Sequence, residues 1–319
     1  MKVLANDGIS EGGKKALEEA GIELLDAKVS QDQLPNFINE NQVDVLLVRS
    51  STKVRATLID ACPSLKIVGR GGIGMDNIDV EYAIEKGLYV INTPHASSRS
   101  VAEMVFAHFF SLARFLHESN RLMPLEGDTR FSAMKKSFEN AVELKGKNLG
   151  VIGFGGIGKE VVEIGISLGM TVKVLTRNPK TETVTLSFFD GQTVDFEISS
   201  TQNMEELLRD ADFLSINTPK GAAYILNTPQ FEKMKDGVFV VNTARGGVLN
   251  EVELLKFIDS GKIAGAALDV FESEPNPELP LLMNPNLSLS PHLGGNTKDA
   301  QEKIGIELAQ QIIDIKKKL

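Results

Sequence analysis

Leu149-Gly150-Val151-Ile152-Gly153-Phe154-Gly155-Gly156-Ile157-Gly158 runs a short apolar segment straight into the spacing Gly-x-Gly-x-x-Gly. An amphipathic stretch, Lys159 to Leu168, follows at once and stops at Gly169. The order is strand, tight turn, helix. In that order the first glycine lets the chain turn, the second lets backbone approach a pyrophosphate, and the third lets helix pack on strand. The phosphates then meet the free N–H groups and the positive dipole end of the helix. The stretch predicts a dinucleotide site on Gly153, Gly155, Gly156, Ile157 and Gly158.

A second stretch shows that the spacing alone does not decide. Gly69-Arg70-Gly71-Gly72-Ile73-Gly74 has the same spacing and follows the apolar run Leu65–Val68. Met75-Asp76-Asn77-Ile78-Asp79 comes next, and no helix opens. Two readings stand: a glycine-rich turn, or a row of backbone N–H groups facing an anion other than the pyrophosphate.

Outward from these loops, short apolar runs alternate with helical patterns along the whole chain. Strands are expected at Lys2–Ala5, Ile22–Leu25, Val43–Val48, Leu65–Val68, Leu88–Ile91, Asn148–Ile152, Thr171–Leu175, Phe213–Asn217, Val238–Asn242, Gly265–Leu268 and Leu287–Leu289. Several intervening helices end at glycine, at Gly21, Gly87, Gly169 and Gly261. This predicts an α/β protein with parallel sheets and helical crossovers, both sheet faces covered. Val184–Phe189 and Thr193–Ile198 alternate around Asp190-Gly191, a hairpin signal read as an excursion from the alternation. Two long helices are expected, Ser97–Glu118 and about Asn296–Lys317. They suggest two Rossmann-like, doubly wound domains joined by long helices. One domain holds residues 1–97 and 287–319 and binds substrate; the other holds 98–286 and binds the dinucleotide.

Bulk properties narrow the function classes. At 319 residues and net charge −9, with no basic stripe, nucleic acid is not an expected partner. Cys62 is the only cysteine, which excludes an intrachain disulfide and a cysteine-based metal site. Met1-Lys2-Val3-Leu4-Ala5 reads as a strand, and no apolar run approaches a membrane span, so a cytoplasmic protein without membrane contact is expected. Lys316-Lys317-Lys318 complements a helix C-terminus.

Of four histidines, His108 and His117 lie inside the first long helix and His95 follows Pro94. His292 differs, because Ser290-Pro291-His292-Leu293-Gly294-Gly295 directly follows a strand. Open α/β sheets bind ligands at strand C-termini, and histidine moves protons near neutral pH. Arg245 follows another strand in Asn242-Thr243-Ala244-Arg245-Gly246-Gly247. It reads either as a surface ion pair or as a fork for a carboxylate. Glu274, after a third strand, reads as a solvated carboxylate or as the partner that orients His292. No nucleophile elbow, metal-spaced histidine pair or P-loop lysine occurs, so hydrolysis and ATP chemistry fit poorly and no metal is expected.

These three segments carry a resemblance. Asn242–Gly246, Ala267–Pro275 and Ser290–Gly295 match in order the arginine, glutamate and histidine signatures of the D-isomer-specific 2-hydroxyacid dehydrogenases, and the likeness covers essentially the whole chain. Val48–Val54, Val68–Asp79, Asn92-Thr93-Pro94 and Ser98–Glu103 make it most similar to the phosphoglycerate dehydrogenase branch. The resemblance implies an NAD(P)-dependent homodimeric oxidoreductase, with 3-phosphoglycerate and 3-phosphohydroxypyruvate as substrate pair. Another 2-keto acid, such as glyoxylate or hydroxypyruvate, is the alternative. It implies that Arg245 grips the substrate carboxylate, that His292 exchanges the hydroxyl proton, and that Glu274 is its partner. Thr218, Pro219, Ala244, Asp269, Gly294 and Gly295 would complete the cofactor site. Gly72 and Ile73 would offer backbone N–H groups to the substrate carboxylate, Arg49 and Arg70 would meet a phosphate or a second anionic group, and Ser50 and Gly71 would complete the substrate site. Phe106, Phe109 and Phe110 are apolar surface available for a dimer.

Two departures from the pattern stand out. NAD users of this fold place an acidic residue after the second strand. Here Leu175-Thr176-Arg177-Asn178-Pro179-Lys180 has none, so Arg177 and Lys180 point to NADP, with Thr176 neutral between the cofactors. The sequence also ends after the closing helix, so serine feedback through an appended regulatory domain is not expected. The rival from another class is a dinucleotide-sensing scaffold like the C-terminal-binding-protein corepressors, which resemble the same family.

Overall fold

Runs of Val, Ile and Leu bounded by Gly, Asn and Asp become parallel strands covered on both faces. The computed structural model describes residues 1–319 and divides into two compact units, Met1–Ser98 with Gly295–Leu319, and Arg99–Gly294. In chain order the first unit opens with β1 (Lys2–Ala5), α1 (Glu11–Glu19), β2 (Glu23–Leu25), α2 (Leu34–Asn41) and β3 (Val45–Val48). It continues with α3 (Ala56–Ala61), β4 (Ile67–Arg70), α4 (Val80–Glu85) and β5 (Tyr89–Asn92). Its sheet is fully parallel with order β2-β1-β3-β4-β5. The direction of winding reverses between β1 and β3, a doubly wound sheet of the flavodoxin-like order. Val3, Val45, Leu47 and Ile67 face one helix layer, while Leu4, Leu46, Val48 and Val68 face the other.

The chain then passes through α5 (Ser98–Ala113), α6 (Leu116–Glu126), α7 (Phe131–Ser137), β6 (Asn148–Ile152), α8 (Gly156–Ser167) and β7 (Thr171–Leu175). Next come β8 (Thr181–Ser187), β9 (Thr193–Thr201), α9 (Met204–Asp210), β10 (Phe213–Ile216) and α10 (Thr228–Lys233). The unit ends with β11 (Val238–Asn242), α11 (Glu251–Asp259), β12 (Ile263–Leu268), α12 (Leu279–Met283) and β13 (Leu287–Leu289). Helix α13 (Lys298–Lys316), capped by Thr297, belongs to the first unit. The second sheet has order β13-β12-β11-β10-β6-β7-β9-β8, parallel except for β8. Again two cores sandwich it: Leu214, Ile216, Val240 and Leu268 on one side, Val151, Phe213, Val241 and Ala267 on the other. The four helix-ending glycines all take positive φ just past α1, α4, α8 and α11.

Four expectations change. The first long helix breaks at Arg114-Phe115, where Phe115 takes a left-handed conformation and stacks on Phe138. The His117 ring lies against the Ser111 and Pro285 carbonyls at 3.2 and 3.0 Å. These side-chain contacts compete with the helical ladder at a place that has neither glycine nor proline to announce it. The hairpin is part of the main sheet: β9 pairs in parallel with β7, and β8 makes the crossover that a helix makes elsewhere. The return to the first unit comes after Gly294 rather than at 287, because β13 pairs with β12. Phe106 and Phe109 are core, joined edge-on to each other and to Phe213, and only Phe110 stays exposed.

One clamp fixes the loop after β12. The Glu251 N–H donates to Glu272 Oε1 at 3.1 Å, and the Glu272 N–H donates to Glu251 Oε1 at 2.7 Å. The Tyr224 hydroxyl donates to Glu272 Oε2 at 2.9 Å. Glu251 is 5 % exposed, and burial pushes its carboxyl up to about 7. The Glu272 N–H opposes this, and the charges of Glu272, Glu274 and Glu278 add to it. A carboxyl raised on folding favours the protonated native state, so its contribution is lost as pH rises through the folded value. Glu251→Gln keeps the acceptor oxygen and removes the titration. Its Tm should therefore gain on the parent as pH rises from about 5 to about 8, measured by calorimetry. A difference that stays constant across that range would reject the assignment.

Candidate active site

The glycine loop begins where β6 ends. Gly153 has φ 100°, and a Cβ there would lie 2.5 Å from the Asn217 carbonyl, so only glycine lets the chain cross the end of β10. Gly158, inside α8, rests against the Gly153 carbonyl, where a Cβ would come within 2.1 Å. Gly155 precedes α8 with nothing within 4 Å of its Cβ position, and no side chain caps the helix. Around this open helix end lie buried polar atoms without a protein partner: Asn217 Oδ1 and Thr218 Oγ1 after β10, and Thr243 Oγ1 after β11. The loop lies between β6 and β10, where the winding of the second sheet reverses. Free amides, unpartnered hydroxyls and absent side chains fit a dinucleotide's phosphates and ribose.

At the end of β7 the Thr176 hydroxyl donates to the Asn178 carbonyl at 2.9 Å and lies 2.9 Å from Ser200 Oγ. It is engaged within the β7–β9 corner. Arg177 is exposed, and its carbonyl accepts from Gln202 Nε2 at 2.5 Å. Lys180 departs from the expectation of a second available charge. Its ammonium pairs with Glu182, which also pairs with Lys159 of α8, and it sits over the Phe154 ring. The two lysines hold the Glu182 carboxyl below the usual range. Sequence order hid the Lys159 contact, because β8 brings Glu182 back beside α8, whereas Lys180 and Glu182 stand two residues apart.

The arginine, glutamate and histidine segments meet at one end of the second sheet. Asn242 shapes the arginine turn, accepting from Ala244 N at 3.0 Å and donating to the Arg245 carbonyl at 3.0 Å. Arg245 Nη1 donates to the Ala244 carbonyl at 2.7 Å. Gly246 rests on the Phe271 carbonyl, where a Cβ would come within 1.8 Å, and so joins the arginine turn to the glutamate loop. In that loop Glu274 Oε1 accepts from Phe271 N at 3.0 Å, and Oε2 lies 3.0 Å from His292 Nδ1. A carboxylate accepts, so the pair places a proton on Nδ1 and leaves Nε2 for exchange. The side chains of His292 and Glu274 are 48 % and 38 % exposed, at a cavity of about 450 Å³ shared with Phe271, Pro275, Leu289 and Ser290.

His292 itself has φ 54°, a left-handed conformation that costs a residue with a Cβ roughly 1–2 kcal/mol. Asp269, 1 % exposed, holds it there. Its carbonyl accepts from His292 N at 2.8 Å. Its Oδ1 accepts from Ser290 Oγ at 2.6 Å and Leu293 N at 2.7 Å, and its Oδ2 from Gly294 N at 2.8 Å.

In the first unit Arg49 and Ser50 follow β3, while Arg70 ends β4 and leads into Gly71, Gly72 and Ile73. The Gly72 and Ile73 carbonyls accept from Thr93 N at 3.2 Å and Asn92 Nδ2 at 2.9 Å, which fixes the turn. Sequence reasoning missed Asp7 at the end of β1. Its carboxylate accepts from Arg49 N at 2.7 Å, Ser51 Oγ at 2.5 Å and Thr52 Oγ1 at 2.9 Å. Although burial opposes it, these hydrogen bonds hold the Asp7 carboxyl below the usual range. The polar triplet Asn6-Asp7-Gly8 directly after a buried strand was the available signal. Gly295, named with the cofactor residues, is the first residue of the returning segment.

Residues 106–294 match the family model described as the NAD binding domain of D-isomer specific 2-hydroxyacid dehydrogenases. A hydroxypyruvate reductase of Thermotoga maritima is 39 % identical over 98 % of this chain and 97 % of its own. A D-3-phosphoglycerate dehydrogenase of Bacillus subtilis is 36 % identical over 100 % of this chain, which spans 58 % of that protein's length. Among solved structures, a glyoxylate reductase from Paecilomyes thermophila is 27 % identical with TM-score 0.76, covering 98 % of this chain and 95 % of its own. The holo form of D-mandelate dehydrogenase from Rhodotorula graminis shares the fold with TM-score 0.84 at 22 % identity, over 98 % and 93 % of the two chains. No helix is long and apolar enough to cross a membrane. The chain belongs to the D-isomer specific 2-hydroxyacid dehydrogenases.

Proposed function

We propose that the protein is a nicotinamide-dependent oxidoreductase interconverting a D-2-hydroxy acid and its 2-keto acid. The observation that carries this is the Glu274–His292 pair, 3.0 Å apart, on the same sheet as the glycine loop. When bound, the nicotinamide supplies the hydride acceptor or donor. His292 Nε2 takes the hydroxyl proton during oxidation and returns it during reduction, while Glu274 keeps Nδ1 protonated and the ring in place. Arg245 grips the substrate carboxylate and draws charge toward the reacting oxygen. Asp269 Oδ2 retains an acceptor position for the carboxamide. Ala244, Thr218, Pro219, Gly294 and Gly295 line the rest of that site.

For the substrate we favour 3-phosphoglycerate and 3-phosphohydroxypyruvate, with Arg49, Ser50 and Arg70 assigned to the phosphate and Gly71, Gly72 and Ile73 to the carboxylate. The full-length likeness to a hydroxypyruvate reductase supports a second reading, an unphosphorylated 2-keto acid. An initial-rate panel decides between them: 3-phosphohydroxypyruvate, hydroxypyruvate, glyoxylate and 2-ketoglutarate, each with NADH and NADPH. Turnover of none would sink the dehydrogenase reading in favour of a binding protein. With the best substrate, His292→Ala should lower kcat by at least about 100-fold and leave cofactor affinity nearly unchanged. Arg245→Ala should damage both KM and kcat. Near-normal turnover in either variant would refute its role.

For the cofactor we favour NADP, now on Arg177 alone because Lys180 is paired with Glu182. A guanidinium forked onto a 2′-phosphate contributes roughly 1.5–3 kcal/mol, enough for about tenfold preference. Arg177→Asp should then impair NADPH use and spare NADH use. A parent that already prefers NADH by more than about tenfold would overturn the assignment.

We further propose a homodimer formed through the second unit. Phe110 is 41 % exposed, and Leu116, Met123, Leu125 and Phe131 on α6 and α7 are exposed as well. Light scattering at micromolar concentration should return twice the chain mass of 34.7 kDa. A monomer mass would reject it.

A further inference from the structure

Helix α5 carries one imidazole deep inside the second unit. His108 is 5 % exposed, and both ring nitrogens have partners: Nδ1 lies 3.0 Å from Ser288 Oγ, and Nε2 lies 2.9 Å from Ser290 Oγ. Ser290 Oγ donates to Asp269 Oδ1 at 2.6 Å, and Ser288 Oγ lies 3.3 Å from Ser111 Oγ. Counting protons fixes the direction of the whole chain. A carboxylate only accepts, so the single hydroxyl proton of Ser290 goes to Asp269. Ser290 therefore meets Nε2 as an acceptor, and Nε2 bears a proton. Burial holds His108 below the usual histidine range, against the opposing charge of Asp269, so the ring is neutral and Nδ1 is bare. Nδ1 then accepts from Ser288 at 3.0 Å, which takes precedence over the longer 3.3 Å donation from Ser288 to Ser111. The chain runs Ser288, His108, Ser290, Asp269.

Its far end is the turn that carries His292. Asp269 receives the Leu293 and Gly294 amides on its carboxylate and the His292 amide on its carbonyl. We propose that His108 is a positioning residue for the proton exchange at His292: its Nε2–H, relayed by Ser290 to Asp269, fixes the left-handed turn that presents the His292 imidazole to Glu274. Without that donor Ser290 has no partner holding its oxygen, its hydroxyl can rotate off Asp269, and the carboxylate loses an anchor. The competing account is that His108 merely fills space beside β13. The catalytic consequence rests on the dehydrogenase reading above; the effect on the turn does not.

The test compares the parent with His108→Leu, with the packed double variant His108→Leu/Ser288→Val, and with His108→Gln, whose amide can replace both ring contacts. With the best 2-keto acid, kcat should fall by about tenfold or more in both leucine variants, equivalent to about 1.4 kcal/mol in the barrier. KM for the nicotinamide cofactor should stay within about twofold, and His108→Gln should restore most of kcat. Two readouts need no activity. Long-range proton–nitrogen spectra of the parent should show His108 as the neutral Nε2–H tautomer at neutral pH. Amide exchange at His292, Leu293 and Gly294 should be about tenfold faster in the double variant, at a Tm close to the parent's. A double variant with parental kcat and parental exchange, or a His108 ring protonated on Nδ1, would overturn the proposal. If no 2-keto acid is turned over, the dehydrogenase reading fails, while tautomer and exchange still decide the role of His108.

Discussion

The carboxylate of Asp269 is the constraint on which the site depends. It stands one residue past β12, and its own N–H donates to the Asn242 carbonyl at the end of β11. Its oxygens gather the turn that follows β13. Parallel pairing makes this possible. Asn242 is in register with Leu268, and Leu268 with Leu289, so three strands end level and their loops emerge side by side. Arg245, Glu274 and His292 come from separate loops and share one edge because the ladder aligns them. An antiparallel β12 would send the glutamate loop to the opposite end of the sheet. The parallel architecture is thus what brings these three loops to one edge.

Two kinds of glycine support this edge in different ways. Gly153 and Gly246 stand where another segment's carbonyl occupies the space of a Cβ, so they set how closely loops pack. Gly155 stands where nothing lies within 4 Å, at the uncapped N-terminal end of α8. The first kind builds the frame. The second leaves room beside polar groups, which is a sign of a ligand rather than of packing.

The sequence was legible where one physical cause acted over a short stretch. Doubly covered strands read as apolar runs, helix ends read from glycine at positive φ, and the cofactor turn read from the order strand, glycine, helix. It was illegible where the cause lay far along the chain. The break at Phe115 comes from contacts to Phe138 and Pro285. The pairing of Lys159 with Glu182 appears only once β8 folds back beside α8. His108 read only as a packed or surface residue of the first long helix, and its partners Ser288 and Ser290 lie 180 and 182 positions away. The hairpin was read correctly as a local motif, but its place as the third parallel strand position depends on long-range pairing with β7.

This pattern also explains why the reaction class is easier to read than the specificity. Asp269, Gly246 and the Glu274–His292 pair are each tied into packing or hydrogen bonds with neighbouring loops, so their surroundings constrain them several times over. Arg177 is exposed, and Arg49 stands on a loop whose shape is set by Asp7 rather than by the arginine itself. Replacing the guanidinium of either would leave the fold's hydrogen bonds in place while changing what the surface attracts. The proposed preference for a 2′-phosphate or a substrate phosphate would therefore rest on side chains the fold does not require. Charge at those positions can change without disturbing the loops that carry Arg245, Glu274 and His292, so it shows itself in cofactor and substrate preference rather than in the fold.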